Sequence, residues 1–204
     1  YGLQLIFPEK GENGKDKVYW PRGLKKEGRF FVIGKLQRGK PICIAEGYAT
    51  AASIHEAIGW PVVVAFDSGN LLPVAQAIRA RFQDSPLVFC ADDDWKTTDA
   101  NGEPYNAGVI KAEEAQTKLN GHLVKPQFGA DRAATDVDFN DLHVRAGLQA
   151  VAQCFHYIRA ELSHWRTTLS RKTNGELEPT ERNVYLVLSN DDAWDGVVGF
   201  SELH

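Results

Sequence analysis

Methionine is absent from all 204 residues, and the chain opens Tyr1-Gly2-Leu3-Gln4. The sequence is therefore expected to be a segment of a longer protein. No basic stretch followed by an apolar core stands at its start, so no signal peptide is expected. No apolar run approaches the ~20 residues that span a bilayer. No membrane partner is expected, and the expected compartment is the cytoplasm. Cysteine is scarce: only Cys43, Cys90 and Cys154 occur, with no Cys-x-x-Cys pair. That excludes a zinc ribbon and fits buried free thiols in a reducing compartment. The six histidines show no ligand spacing with the cysteines. No complete Gly-x-x-x-x-Gly-Lys-Ser/Thr phosphate loop is present, since Pro41 follows Gly34 to Lys40, so no helicase motor is expected in this chain. Positive charge is not in excess either, with 23 basic against 27 acidic residues and a net charge of -4. A module that works by coating phosphates is usually basic. An enzyme whose acidic site recruits cations stays open, because bound cations reverse the local charge.

What is there is an ordinary globular balance, 43% apolar and 25% charged. The length suits one domain plus a smaller piece. Residues 1–39 read as a small β-rich unit. Leu3, Leu5 and Phe7 alternate with other residues, Gly11 to Asp16 is turn-rich, and Val18-Tyr19-Trp20 and Phe30 to Ile33 follow as strands. A basic patch of Arg22, Lys25, Lys26 and Arg29 lies between these strands, with Lys35 and Arg38 after them.

From Pro41 the pattern changes. Ile42 to Ala45, Val62 to Ala65 and Leu87 to Ala91 are continuous apolar runs, typical of strands buried on both faces. Helices are predicted over Ala49 to Ile58, Leu72 to Phe82 and Val109 to Leu119, with Leu123-Val124 as a short fourth strand. Alternating strands and helices predict a parallel sheet covered on both sides, over residues 40–147. The stretch from Asp131 to Asp141 reads as polar and acidic. A helix is predicted from about Leu148 to Trp165, then a linker over 166–179 and a strand or helix over Asn183 to Leu188. Residues 148–204 thus form a helix, a linker and the start of a further domain.

In such a sheet the site lies beyond the carboxyl ends of the strands. Glu46 ends the first strand and Asp92-Asp93-Asp94 ends the third. Three adjacent carboxylates repel one another unless a cation neutralises them. Asp92 and Asp94 point the same way on an extended backbone and can share one hard cation. The plainer readings are a helix cap and solvated loop charge for the aspartates, and helix-dipole complementation for Glu46. The pairing of both features on one rim favours metal. Asp67-Ser68-Gly69 lacks the glycine frame of a nucleophilic elbow and reads as a turn.

Ile44 to Ile54 (IAEGYATAASI) and Val88 to Asp94 (VFCADDD) resemble the two motifs of Toprim domains, which occur in bacterial primases, topoisomerases, recombination mediators and some nucleases. With Ala65 to Leu71 (AFDSGNL) and Asp138 to Leu142 (DFNDL), they most resemble the primases of plasmids and prophages. The resemblance covers residues 1–147 and implies an α/β Toprim sheet, Rossmann-like, preceded by a small β subdomain. It implies that Glu46 acts on the nucleotide or primer oxyanion, directly or as a metal ligand, and that Asp92 and Asp94 bind Mg²⁺ or Mn²⁺. Asp93 ranks lower. Asp138 with Asn140, or with Asp141, would complete the metal cluster. Gly69 and Asn70 would form a turn at the nucleotide, and Tyr48 would touch it. Many cellular primases carry a further Asp four residues after the glutamate; here that position is Thr50.

By this resemblance two cations would activate a 3′-hydroxyl and stabilise the leaving pyrophosphate. The partners would be single-stranded DNA and ribonucleoside triphosphates, with a replicative helicase in cis or in trans. The basic patch would hold template or triphosphate, or else be a solvated hairpin surface. The tail from Trp165, on Arg166 to Gly175, Asn183 to Leu188 and Trp194 to Glu202, resembles the start of the virulence-associated protein E family of helicase-like ATPases. Two other functions stay open: a metal-dependent nuclease built on the same carboxylates, and a scaffold module without catalysis.

Overall fold

A computed structural model describes residues 2–7 and 17–171, with side chains as far as Ser163. The turn expected over Gly11 to Asp16 lies outside the described residues, as do most of the expected linker, the element expected over Asn183 to Leu188 and nearly all of the helicase-like resemblance.

Seven strands and five α-helices are described: β1 (Leu3–Ile6), β2 (Lys17–Trp20), β3 (Phe31–Ile33), β4 (Ile42–Ala45), α1 (Tyr48–Ile58), β5 (Val62–Val64), α2 (Leu71–Arg81), β6 (Leu87–Cys90), α3 (Ala107–Leu119), β7 (His122–Val124), α4 (Phe139–Cys154) and α5 (His156–Arg171). A 3₁₀ turn, Ser68–Asn70, leads into α2. The main sheet has five strands in the order β3-β5-β4-β6-β7. β4 pairs in parallel with β5 and β6, and β6 with β7.

The apolar runs become central strands because helices cover both faces. Alternate residues of β4 enter opposite layers. Ile42 and Ile44 pack with Leu71, Val74 and Ile78 of α2 and Ala112 of α3. Cys43 and Ala45 pack with Ala51 and Ile54 of α1 and Phe139 and Leu142 of α4. Each fully buried Ile, Leu or Phe contributes roughly 1.5–3 kcal/mol. All three cysteines are free and buried. Helix α1 stops at Gly59, whose φ of 71° lets its N–H return to the His55 carbonyl.

Two expectations change. Phe31–Ile33 does not stay with the small β unit; it is the antiparallel edge of the main sheet, with Phe31 opposite Val64 and Ile33 opposite Val62. The parallel sheet is therefore mixed at this edge. The small unit reduces to the β1–β2 hairpin, Leu3 opposite Trp20 and Ile6 opposite Lys17. Second, the helix expected from Leu148 does start after the break at Gly147 (φ 81°, ψ 170°), but a further helical segment from Phe139 precedes it and α4 ends at Cys154 before α5. The acidic stretch before it supplies its cap: Asp138 accepts from the Asp141 N–H at 2.8 Å, and Asp141 accepts from the Asp138 N–H at 3.2 Å. No helix among the described residues is long and apolar enough to cross a membrane.

Candidate active site

Glu46 follows β4 and Asp92 to Asp94 follow β6, so both groups leave the sheet at its carboxyl end. The chain stays extended past β6. The Ala91 N–H donates to the Val124 carbonyl at 2.9 Å and the Asp93 N–H to the Val137 carbonyl at 2.7 Å. This alternation sends Asp92 and Asp94 to one side and Asp93 to the other. Asp138, the cap of α4, joins the first side.

The charges of these groups bear on one another. Burial, then repulsion from Asp94 and Asp67, raises Glu46 from 4.5 to about 7. A backbone hydrogen bond from Ser68 works against that rise. Burial pushes Asp92 well above the usual carboxylate range, followed by the charges of Glu46, Asp138 and Asp94. Asp94 is raised by burial and then by Asp93 and Asp138. Oδ1 of Asp92 is sealed from solvent and has no hydrogen-bond partner. A buried carboxylate oxygen with no donor is unstable as an anion unless a cation reaches it.

These observations fit a divalent cation held by oxygen ligands. Among the described residues no group of three or more His, Cys, Asp or Glu side chains is placed to hold a metal ion by itself. An open set still suits Mg²⁺, which keeps several waters and is held by one or two carboxylates together with substrate phosphates.

Asp93 has a different environment. Burial disfavours its charge, but hydrogen bonds from Arg132 and Asn106 outweigh that and hold it below the usual range. Its carboxylate accepts from Arg132 Nη1 and Asn106 Nδ2, both at 2.7 Å. Asp141, expected as a ligand, has its Oδ2 engaged by the N–H groups of Val137 (2.8 Å) and Asp138 (3.2 Å). It serves the helix cap first. Thr50, four residues after Glu46, donates to Asp138 Oδ2 at 3.0 Å.

The basic patch divides. Lys26 ion-pairs with Asp67 and lies 4.7 Å from the centre of the Tyr19 ring. Burial lowers its pKa, but Asp67 raises it further, so the ammonium is retained. Arg22 and Lys25 are exposed and Arg29 is half-buried. Asn70 is buried and fully used. Its Nδ2 donates to the carbonyls of Ala65 (2.7 Å) and Arg29 (2.9 Å), and its Oδ1 accepts from the Gly28 N–H at 2.8 Å. It ties the basic loop to the rim rather than reaching out to a ligand. Gly69 lies in the same 3₁₀ turn, capped by Asp67. Tyr48 opens α1, half-exposed, with its ring 6.0 Å from that of Phe31.

Sequence reasoning passed over Asp67, Asn106 and Arg132. Asp67 left a signal, since an Asp before Ser-Gly-Asn is a common cap. Arg132 left none, because a single arginine in a polar loop does not show which carboxylate it meets. A separate cleft of about 500 Å³, lined by Lys35, Lys40, Trp60 and Arg159 among others, opens at the other end of the parallel strands.

Residues 41–149 match the Toprim domain family. A DNA primase TraC of Escherichia coli is 44% identical over 130 residues, which is 62% of this chain and 12% of that protein. A second Escherichia coli DNA primase TraC is 39% identical over 155 residues, 71% of this chain and 10% of that protein. The chain thus spans about a tenth of the length of these curated relatives. The RNA polymerase domain of Mycobacterium tuberculosis primase DnaG aligns with 91% of this chain and 63% of that chain, at 19% identity and a TM-score of 0.44.

Proposed function

Because this chain belongs to the Toprim domain family, we propose that it is the catalytic core of a DNA primase, a nucleotidyltransferase joining ribonucleotides into short RNA primers on single-stranded DNA. The observation that carries this reading is the acidic cluster at the carboxyl end of the parallel strands, with its unpartnered Asp92 oxygen. The identity to primases named TraC favours priming and a plasmid setting.

In this reading Asp92 and Asp94 hold Mg²⁺ or Mn²⁺, with Asp138 and Glu46 beside them. When bound, a divalent cation stabilises developing oxyanion charge in phosphoryl transfer. Glu46 in its ionised form can accept the proton of an attacking 3′-hydroxyl. Arg22, Lys25 and Arg29 meet phosphates of the triphosphate or template, Arg by paired hydrogen bonds. Lys26, engaged by Asp67, steadies the loop that carries them. A replicative helicase, in the same polypeptide or a separate one, would be its partner on the template.

The test is template-dependent incorporation of labelled ribonucleotides with Mg²⁺ or Mn²⁺. The wild-type chain should incorporate and Asp94→Ala should lose the activity. Unchanged incorporation by Asp94→Ala overturns the reading. Metal-dependent degradation of plasmid DNA without nucleotides would assign the same carboxylates to a nuclease instead.

A further inference from the structure

Asp93 lies between the two aspartates of the proposed cation site, yet its carboxylate is committed elsewhere. Arg132 is the centre of that commitment. Its Nη1 donates to Asp93 Oδ2 at 2.7 Å, its Nη2 to the Asp93 carbonyl at 2.8 Å and its Nε to the Asp136 carbonyl at 2.8 Å. The guanidinium lies 5.0 Å from the centre of the Trp95 ring and 4.7 Å from that of Phe128. Asn106 closes the other side. Its Nδ2 donates to Asp93 Oδ1 at 2.7 Å and its Oδ1 accepts from the Asp94 N–H at 3.1 Å.

We infer that Arg132, Asp93 and Asn106 form a clasp that sets Asp92 and Asp94 against Asp138, and that Arg132 is a positioning residue for cation binding. The inference rests on the proposed cation site. Its physical basis is that the clasp joins the two segments carrying the carboxylates. Arg132 grips Asp93 in one segment and the Asp136 carbonyl in the other, two residues before Asp138. The bond to the Asp93 carbonyl and the Asn106 bond to the Asp94 N–H fix the backbone on both sides of the step into Asp94. All three guanidinium nitrogens are engaged, so Arg132 has little left for a substrate phosphate. A lysine has one nitrogen and cannot reproduce the planar fork. Residues that orient metal ligands from behind typically change metal affinity 10–100-fold when removed.

Electrostatics and positioning predict opposite signs. Arg132→Ala removes a positive charge beside an acidic cluster, which on Coulomb grounds alone tightens cation binding. Loss of the clasp weakens it. Mn²⁺ binding to the full chain, measured by titration calorimetry without nucleotide, reads the sign directly. Expected is an affinity at least about tenfold weaker for Arg132→Ala, with partial recovery in Arg132→Lys. Asn106→Ala leaves the net charge unchanged and should weaken binding in the same direction. Equal or tighter Mn²⁺ binding by folded Arg132→Ala overturns the inference. If Arg132→Ala fails to fold, Asn106→Ala decides, and unchanged affinity there overturns it. Asp94→Ala separates the two levels. If it abolishes binding while the clasp variants do not weaken it, only the clasp fails. If it binds Mn²⁺ like wild type, the cation site and the clasp both fall.

Discussion

The Thr50 hydroxyl donates to Asp138 Oδ2 at 3.0 Å, linking α1 to the cap of α4. Thr50 is buried, at 1% exposure. A neutral donor thus sits beside the acidic cluster and orients one of its carboxylates.

Thr50→Val keeps the shape and removes the donor. Stability should fall by about 1 kcal/mol, the net contribution of one such hydrogen bond. Urea unfolding should show a lower midpoint at an unchanged slope. A midpoint equal to wild type would mean that Asp138 holds its position without Thr50.

Asp92→Asn should stabilise the protein in chelator while abolishing its activity. The buried, unpartnered oxygen and the three neighbouring acids all oppose ionisation of Asp92. A gain of 1 kcal/mol appears as a rise of roughly 2–4 °C in Tm at this size. Added Mn²⁺ should raise the Tm of wild type and leave the variant unmoved. A lower Tm for Asp92→Asn in chelator would contradict this account.

Metal-free stability should fall between about pH 4.5 and pH 7. Glu46 has its folded value near 7 against an ordinary 4.5. Below the ordinary value both states hold the proton and nothing is lost. Across the window the unfolded chain ionises first, so folding loses ground as pH rises; above the folded value the loss is complete. The loss is on the order of 1–3 kcal/mol. Glu46→Gln should flatten this slope in denaturant unfolding at pH 5, 6, 7 and 8. Parallel slopes for the two proteins would remove burial of Glu46 as its cause.

Gly108→Ala should damage both stability and the site. A Cβ there would stand 2.4 Å from the Asp92 carbonyl, so α3 must back away from the loop. Overpacking of this kind costs roughly 1–3 kcal/mol. Gly69→Ala is the contrast. Its Cβ would lie 3.4 Å from Asp67 Oδ1, an ordinary contact, so stability should change by less than about 0.5 kcal/mol. Thermal unfolding of the two variants in parallel checks both.

The central strands were legible because burial on both faces leaves no polar position. Ile42 to Ala45 and Leu87 to Cys90 are apolar throughout, and the acids after them mark where each strand leaves the core. Phe31–Ile33 was assigned to the wrong neighbour because a half-buried edge strand has the same alternation in a hairpin as in a sheet. The start of α4 was obscured because Asp138 and Asp141 at capping spacing are the same residues that ligand reasoning claims. Asn70 looked like a ligand contact for a similar reason. Three backbone groups that sequence cannot place together consume its amide. Arg132 was invisible because its meaning depends on the fold bringing Asp93 to it.

The strand order has a consequence in time. β3 pairs with β5, not with the strand that follows it in sequence. During synthesis Phe31 must wait for Val64, roughly 30 residues or about 2–6 s at ordinary elongation rates. Until Val62–Val64 leaves the ribosome, the segment that follows the basic loop has no strand to bind. The amino-terminal part of the chain is made first and secured late.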